Sequence, residues 1–183
     1  PGDVGTEGES HGKSVSLNRT KEELKESELL PFEAAIGAGT EFVMVGHISL
    51  PEILTDDTPA SLSEDVVTEM LREELGYEGI IITDSMDMGA ITDHYTSGEA
   101  AVKAVQAGVD MILMPQNLRR HTREFWKQYA RGTISEERID ASIKRILEVK
   151  MNETYNLKTG DSSERQTADR TTNYTGEQGA DRP

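Results

Sequence analysis

The 183-residue chain contains no cysteine, which excludes disulfides, thiolate metal sites and cysteine nucleophiles and leaves the redox compartment open. Basic side chains are scarce, with 19 against 34 acidic ones and a net charge of −15 at pH 7. This charge argues against nucleic acid or an anionic membrane as a partner, because phosphate groups would be repelled. No run reaches the ~18 apolar residues of a membrane span, and no signal peptide is recognisable.

Short apolar segments alternate with helical patterns along the chain. The apolar segments cover residues 42–47, 80–83 and 110–115. Apolar side chains recur at helical spacing in residues 20–37, 63–75, 97–107, 122–130 and 135–151. This alternation predicts an α/β fold whose three buried strands form a parallel sheet. The chain is too short for a complete (β/α)8 barrel, which typically has ~250 residues.

The ends of the predicted helices carry capping signals. Thr20 begins a capping box, Ser63 is a natural N-cap residue, and Ser135 begins the last helix, which we expect to break off near Met151. The apolar stripe of that helix should lie against the sheet; its members are Ile139, Ile143, Ile146, Leu147 and Val149. Residues 1–151 are therefore predicted to form the folded part, and residues 152–183 a polar, flexible tail.

The segment 80–83 stops abruptly at a carboxylate, Asp84. An acid at the C-terminal end of a buried parallel strand faces the edge where active sites of α/β folds are built. Aspartate is also a favoured helix N-cap residue, so Asp84 has a structural interpretation as well. The pattern alone leaves both open.

Histidines supply the other candidate site residues. His47 ends the segment 42–47 as Asp84 ends the next, so it either lines a shared pocket or has a structural role. Glu9 and His11 are two residues apart in a glycine-rich loop, where a carboxylate can orient an imidazole, although such pairs are usually solvated surface pairs. Met86 and Met88 follow Asp84 and could suggest a soft-metal site, although methionines at such spacing are usually core filling. Without cysteine or clustered histidines, we expect no metal and no cofactor.

Seven short motifs follow one another along the chain. They are Pro1-Gly2, Glu9-Ser10-His11, Leu29–Phe32, Val43–Ile48, Pro59–Ser63, Leu71–Gly79 and Ile82–Met88. In order and separation they resemble the β-N-acetylglucosaminidases of glycoside hydrolase family 3, from Pro1 to about Met151. That family has a (β/α)8 barrel. The resemblance implies that the chain supplies about strands six to eight of a partial barrel, and that the N-terminal half is missing.

The resemblance also implies roles for the site residues. Asp84 matches the family's nucleophile, and His11 matches its acid/base, which is a histidine oriented by the acid two residues earlier, here Glu9. His47 and Met86 would line the sugar pocket. The implied reaction is retaining hydrolysis of terminal β-linked N-acetylglucosamine through a covalent glycosyl-enzyme, as in peptidoglycan fragments or chitin oligomers.

The catalytic loop departs from the family pattern Pro-Gly-His-Gly-Asp-Thr-x-x-Asp-Ser-His at three places. Asp3 stands where the pattern has His, Val4-Gly5 where it has Gly-Asp, and Glu9 where it has Asp. Glutamate keeps the charge of aspartate and adds a methylene, which changes the reach of the group that orients His11.

Two other functions compete with the glycosidase hypothesis. A phosphate-binding isomerase or aldolase would want a Schiff-base lysine, and lysine is absent from all three predicted strands. The second is a degenerate or incomplete glycosidase fold that binds carbohydrate without catalysis. Because three parallel strands leave an open sheet edge, we expect the chain alone to be inactive or poorly folded. Localisation is left open between a bacterial cytoplasm and the cell wall or exterior.

Overall fold

The computed structural model describes residues 15–115 and 118–159. Its two strands, β1 (Phe42–Val45) and β2 (Ile80–Thr83), pair in parallel, and a 3₁₀ turn (Ala60–Leu62) and a π-helix (Asp65–Glu74) lie between them in sequence. The α-helices are α1 (Lys21–Glu26), α2 (Leu30–Gly37), α3 (Gly89–Thr92), α4 (Ser97–Ala107), α5 (Leu118–Ala130) and α6 (Glu136–Thr159). Residues 1–147 form one compact unit that holds both strands. Residues 148–183 form a second, whose described part is the end of α6.

Two of the three predicted capping residues are confirmed. The Thr20 hydroxyl accepts a hydrogen bond from the Glu23 amide at 3.2 Å, and the Glu23 carboxylate accepts one from the Thr20 amide at 2.9 Å. The Ser135 hydroxyl accepts from the Arg138 amide at 3.2 Å. Ser63 lies at the predicted helix start in an extended conformation, and its carbonyl accepts a helical bond from the Val67 amide at 3.0 Å, but no side-chain capping bond forms among the described residues. Its own amide closes the 3₁₀ turn by donating to the Ala60 carbonyl.

The two strands differ in how deeply they are buried. In β2, Ile80, Ile81 and Thr83 are each at most 1% exposed, as a strand covered on both faces requires. In β1 burial alternates, and Phe42 and Met44 are 46% and 51% exposed. The prediction of a buried strand is therefore confirmed for β2 and holds for only one face of β1. The described two-stranded sheet is parallel, and with its helices it makes an α/β fold. No described strand pairs with the second edge of β1.

The predicted third strand, residues 110–115, is not a strand. Met111 makes only an isolated parallel bridge with Ile82. Side chains replace the backbone partners on either side of this bridge: the Asp110 carboxylate accepts from the Ile81 amide at 3.0 Å, and the Thr83 hydroxyl accepts from the Leu113 amide at 3.1 Å. A positive φ of 45° at Met114 then turns the backbone out of the extended conformation. The segment lies along β2 without forming a regular ladder.

Helix α6 begins where predicted but continues beyond Met151 to Thr159, so the predicted tail starts within a helix. Its apolar stripe is only partly buried, since Ile143 and Leu147 are 47% and 51% exposed whereas Ile139 and Ile146 are of intermediate burial. Polar residues spaced i, i+4 and i+7 also face the body: Arg138, Ser142 and Arg145. Within the described residues no helix is long and apolar enough to cross a membrane.

A buried carboxylate, Asp110, ties α6 to β2. Its side chain is fully buried, and it accepts hydrogen bonds from the Ile81 amide, the Ser142 hydroxyl and Arg145 Nη1. Arg72 pairs with Oδ2, the oxygen that also binds the Ile81 amide, and donates to the Tyr77 and Gly79 carbonyls at the turn before β2. A single anion thus joins the π-helix, β2 and α6.

Replacing Asp110 should therefore be costly. Asp110→Asn removes the negative charge that the surrounding guanidinium groups share, and leaving buried charges without their partner typically costs about 3 kcal/mol. We expect a loss of this size in the free energy of unfolding measured by urea denaturation. Asp140→Asn, on the exposed side of α6, is the matched control and should change it by less than about 0.5 kcal/mol. Equal stability of the two variants would show that Asp110 does not join these elements.

Candidate active site

The parallel pairing of β1 and β2 brings their C-terminal ends to one edge of the sheet. Val45 pairs with Thr83, and the amide of the next residue, Asp84, donates to the Val45 carbonyl at 3.0 Å. His47 follows β1 by two residues, so the strands deliver a carboxylate and an imidazole to the same edge. Two of the predicted site residues, Asp84 and His47, are thus brought together.

Asp84 does not cap a helix. Helix α3 begins five residues later, and its N-cap residue is Met88, which has no side-chain cap bond. The Asp84 side chain is partly exposed, and its Oδ1 accepts a hydrogen bond from the Ser85 amide at 2.6 Å. In the described part of the chain, no hydrogen bond is found to its Oδ2. One oxygen is therefore held by the backbone, and the other can reach a ligand.

His47 is buried, with an exposed fraction of 5%. Its Nε2 lies 3.0 Å from the Ser85 carbonyl oxygen and its Nδ1 lies 2.6 Å from the Ser61 hydroxyl. Because a carbonyl only accepts, the proton belongs on Nε2, and Nδ1 accepts from Ser61. Burial lowers the pKa of His47, against smaller opposing effects of the Ser85 carbonyl and the Asp84 charge, so the ring is held neutral. Both ring nitrogens have protein partners, and contact of His47 with a sugar stays a prediction.

The remaining predicted residues are placed differently. Met86 is 3% exposed and packs in the hydrophobic core, while its amide donates to the Leu113 carbonyl at 3.0 Å. Its predicted contact with substrate is untested, and core packing is what the structure shows. Glu9 and His11 lie outside the described residues. The chain that follows them is joined to the site, since Ser16 bridges Ser49 in parallel.

A cavity of about 470 Å³ lies among residues that, apart from Ser16, follow β1 or β2, and neither Asp84 nor His47 is among its lining residues. Its lining includes hydroxyl, carboxylate, imidazole and phenol groups, the kinds of side chain that bind polyhydroxylated ligands. The lining residues are Ser16, Ser49, Asp56, Asp57, Thr58, Pro59, Ala90, His94 and Tyr95.

Sequence patterns did not reveal the partners of His47. Ser61 is fully buried in the 3₁₀ turn, and the Ser85 carbonyl carries no side-chain signal. The motif Pro59–Ser63 indicated only that Ser61 belonged to a recurring stretch. Its hydrogen bond to a ring fourteen residues earlier is set by tertiary packing.

Comparison with known proteins decides the family. A family model described as "Glycosyl hydrolase family 3 N terminal domain" matches residues 1–149. The chain belongs to glycoside hydrolase family 3. The resemblance seen in the motifs is thereby confirmed, as is an α/β fold of the TIM-barrel-like kind. The described sheet has two strands, so the partial barrel itself stays a prediction.

Several relatives of this family 3 chain are named beta-hexosaminidases. It is 28% identical to "Beta-hexosaminidase A" of Pseudoalteromonas piscicida and 31% identical to "Beta-N-acetylglucosaminidase/beta-glucosidase" of Cellulomonas fimi, matching 82% of this chain and 28% of each relative. The solved family 3 β-N-acetylglucosaminidase from Paenibacillus sp. str. FPU-7 is 39% identical, with a TM-score of 0.75 over 80% of this chain and 28% of that one. The chain thus spans 28% of the length of each of these three relatives.

A solved β-glucoside phosphorylase is also similar. It is 26% identical, with a TM-score of 0.73, and the match covers 80% of this chain and 28% of that one. Hydrolase and phosphorylase names thus both occur among the solved structures similar to this chain. Fold similarity does not decide between the two acceptors.

The lowered pKa of His47 predicts a pH dependence of stability. Below pH 6.5, the ordinary pKa of histidine, His47 is protonated in the unfolded chain but stays neutral in the folded chain. The free energy of unfolding should therefore fall as the pH falls below this value. In His47→Gln this contribution is absent and the curve should be flatter. Urea denaturation between about pH 7.5 and 5 measures both. Parallel curves for the two proteins would contradict the assignment of a buried neutral ring.

Proposed function

We propose that this chain carries the nucleophile of a retaining glycosidase that removes terminal β-linked N-acetylglucosamine. The observation that supports it is the position of Asp84, at the C-terminal end of β2 with Oδ1 fixed by the Ser85 amide and the carboxylate partly exposed. Active sites of TIM barrels are built at this end of the strands. The names of the hexosaminidase relatives agree with this substrate class.

The proposed chemistry has two steps. Asp84 attacks the anomeric carbon while His11, oriented by Glu9, gives its proton to the leaving oxygen, and a glycosyl ester of Asp84 forms. His11, now neutral, then takes a proton from water as the water oxygen attacks the anomeric carbon and the Asp84 carboxylate leaves. The product keeps the β configuration because two inversions occur in sequence.

The natural substrate is proposed to be a peptidoglycan fragment or a chitin oligomer. Phosphate is the competing acceptor in the second step, and the similarity to a β-glucoside phosphorylase is the observation that favours it. A neutral imidazole acting as base does not repel an anion through a charge of its own. Product analysis with and without phosphate separates free sugar from sugar phosphate.

Catalysis is proposed to need the rest of a barrel. A preceding strand of a parallel barrel would pair with the second edge of β1. Other parts of that barrel segment would pack on the exposed side chains of Phe42 and Met44. The chain spans 28% of the Paenibacillus relative, which agrees with this proposal. We use the term completed barrel for a fusion protein in which this chain follows the preceding barrel segment of the Paenibacillus relative.

A non-catalytic carbohydrate-binding module is the alternative. Nothing in the described geometry disables the nucleophile, since Asp84 is at the strand end and is partly exposed. The relatives named above are enzymes. These observations favour catalysis over binding alone.

Removing the nucleophile should abolish turnover. In the completed barrel, Asp84→Asn keeps the shape of the side chain and removes the attacking charge, so hydrolysis of nitrophenyl β-N-acetylglucosaminide should fall by about 10⁴-fold or more. Asp93→Asn, an exposed acid just after α3, is the matched control and should retain activity. Turnover that is indifferent to Asp84 would rule out the proposed mechanism. Activity that survives in the chain alone would rule out the need for the barrel segment.

Removing the acid should matter most for poor leaving groups. His11→Ala should slow cleavage of a natural β-linked disaccharide by about 10²–10⁴-fold and cleavage of the nitrophenyl glycoside much less, because nitrophenolate leaves without protonation. Glu9→Gln should show the same preference with a smaller loss, and Glu7→Gln in the same loop should show none. Equal losses on both substrates would assign the acid to another residue.

A further inference from the structure

Ser61, His47 and the Ser85 carbonyl form a closed, buried chain of hydrogen bonds behind the candidate nucleophile. Ser61 is 0% exposed and His47 is 5% exposed, and the two bonds measure 2.6 Å and 3.0 Å. We propose that Ser61 and His47 are positioning residues, which hold the backbone at Ser85 and thereby aim the Asp84 carboxylate. The effect on catalysis rests on the proposed function. The positioning of the backbone at Ser85 rests on the hydrogen bonds alone.

The Ser85 carbonyl is the point at which His47 acts on Asp84. It accepts from His47 Nε2 at 3.0 Å and from the Met88 amide at 3.2 Å, which closes the turn after the nucleophile. The amide of the same peptide unit, from Met86, donates to the Leu113 carbonyl at 3.0 Å. The unit is therefore fixed at both its oxygen and its nitrogen. Fixing it sets the direction of the preceding Ser85 amide, which binds Asp84 Oδ1 at 2.6 Å.

Ser61 determines which ring nitrogen donates. Its hydroxyl gives its proton to Nδ1, so the proton of the neutral ring stays on Nε2 and points at the Ser85 carbonyl. The turn that carries Ser61 is itself attached to the chain after β1, because the Ala60 amide donates to the Ile48 carbonyl at 2.8 Å. Without the Ser61 hydroxyl, a proton on Nδ1 becomes possible, and Nε2 then loses its bond to Ser85.

The structural part is tested first by nuclear magnetic resonance on the completed barrel with uniform ¹⁵N labelling. The wild type should show a single His47 tautomer protonated on Nε2, and His47→Gln identifies its signal. Ser61→Ala should populate the second tautomer and speed the amide exchange of Met86 and Met88 by at least about 10-fold, with Ile81 unchanged.

The matched control is Ser63→Ala, two residues away and also buried, with an exposed fraction of 7%. Among the described residues its hydroxyl makes no hydrogen bond, so the tautomer and both exchange rates should stay as in the wild type. An unchanged tautomer and unchanged exchange in Ser61→Ala would overturn the proposal.

The catalytic part is tested on the completed barrel by separating kcat from KM. A carboxylate displaced by about 1 Å costs up to ~10²-fold in rate, so Ser61→Ala should lower kcat by about 10–100-fold and change KM by less than about 3-fold. His47→Gln keeps an amide donor for the Ser85 carbonyl and should retain more activity than His47→Leu, which has none. Equal kcat in these two variants would overturn the positioning role.

Failure of this inference is distinguishable from failure of the proposed function. If Asp84→Asn leaves turnover unchanged, the proposed function is wrong, whatever the tautomer of His47. If Asp84→Asn abolishes turnover while Ser61→Ala and Ser63→Ala have equal kcat, the function stands and the positioning role is wrong.

Discussion

The parallel pairing of β1 with β2 is the constraint on which the rest of the site depends. Pairing Val45 with Thr83 and bonding the Asp84 amide to Val45 put both strand ends at one edge. An antiparallel pair would place the residues after the two strands at opposite ends of the sheet. The meeting of His47 with the turn after Asp84 therefore follows from strand direction and register.

Polar side chains support this edge where a regular sheet would use backbone alone. Asp110 and Thr83 bind amides on the two sides of the isolated bridge at Met111, and they hold residues 110–113 against β2. At the other end of the same segment, the Leu113 carbonyl receives the Met86 amide. The segment thus links a buried charge cluster at the start of β2 to the turn that carries the candidate nucleophile.

Prediction from sequence succeeded for features with a local cause. Helix α4 was expected at residues 97–107 and is found at Ser97–Ala107, because helical spacing, the cap at Thr96 and Gly108 with a φ of 114° are all local. It failed where a distant group decides. The bonds of Asp110 and Thr83 interrupt the predicted third strand, and anchoring through Arg138, Ser142 and Arg145 turns part of the α6 stripe to solvent.

The sequence by itself determined the family, the order of the main helices and strands, and Asp84 as the residue that ends a buried strand, since these depend on residue identity and spacing. Only the tertiary structure decided that Asp84 does not cap α3 and that His47 binds Ser61 and the Ser85 carbonyl. The physical reason is distance along the chain. A histidine's tautomer and role are set by what packs around it, here residues fourteen and thirty-eight positions away, and no local pattern encodes those neighbours.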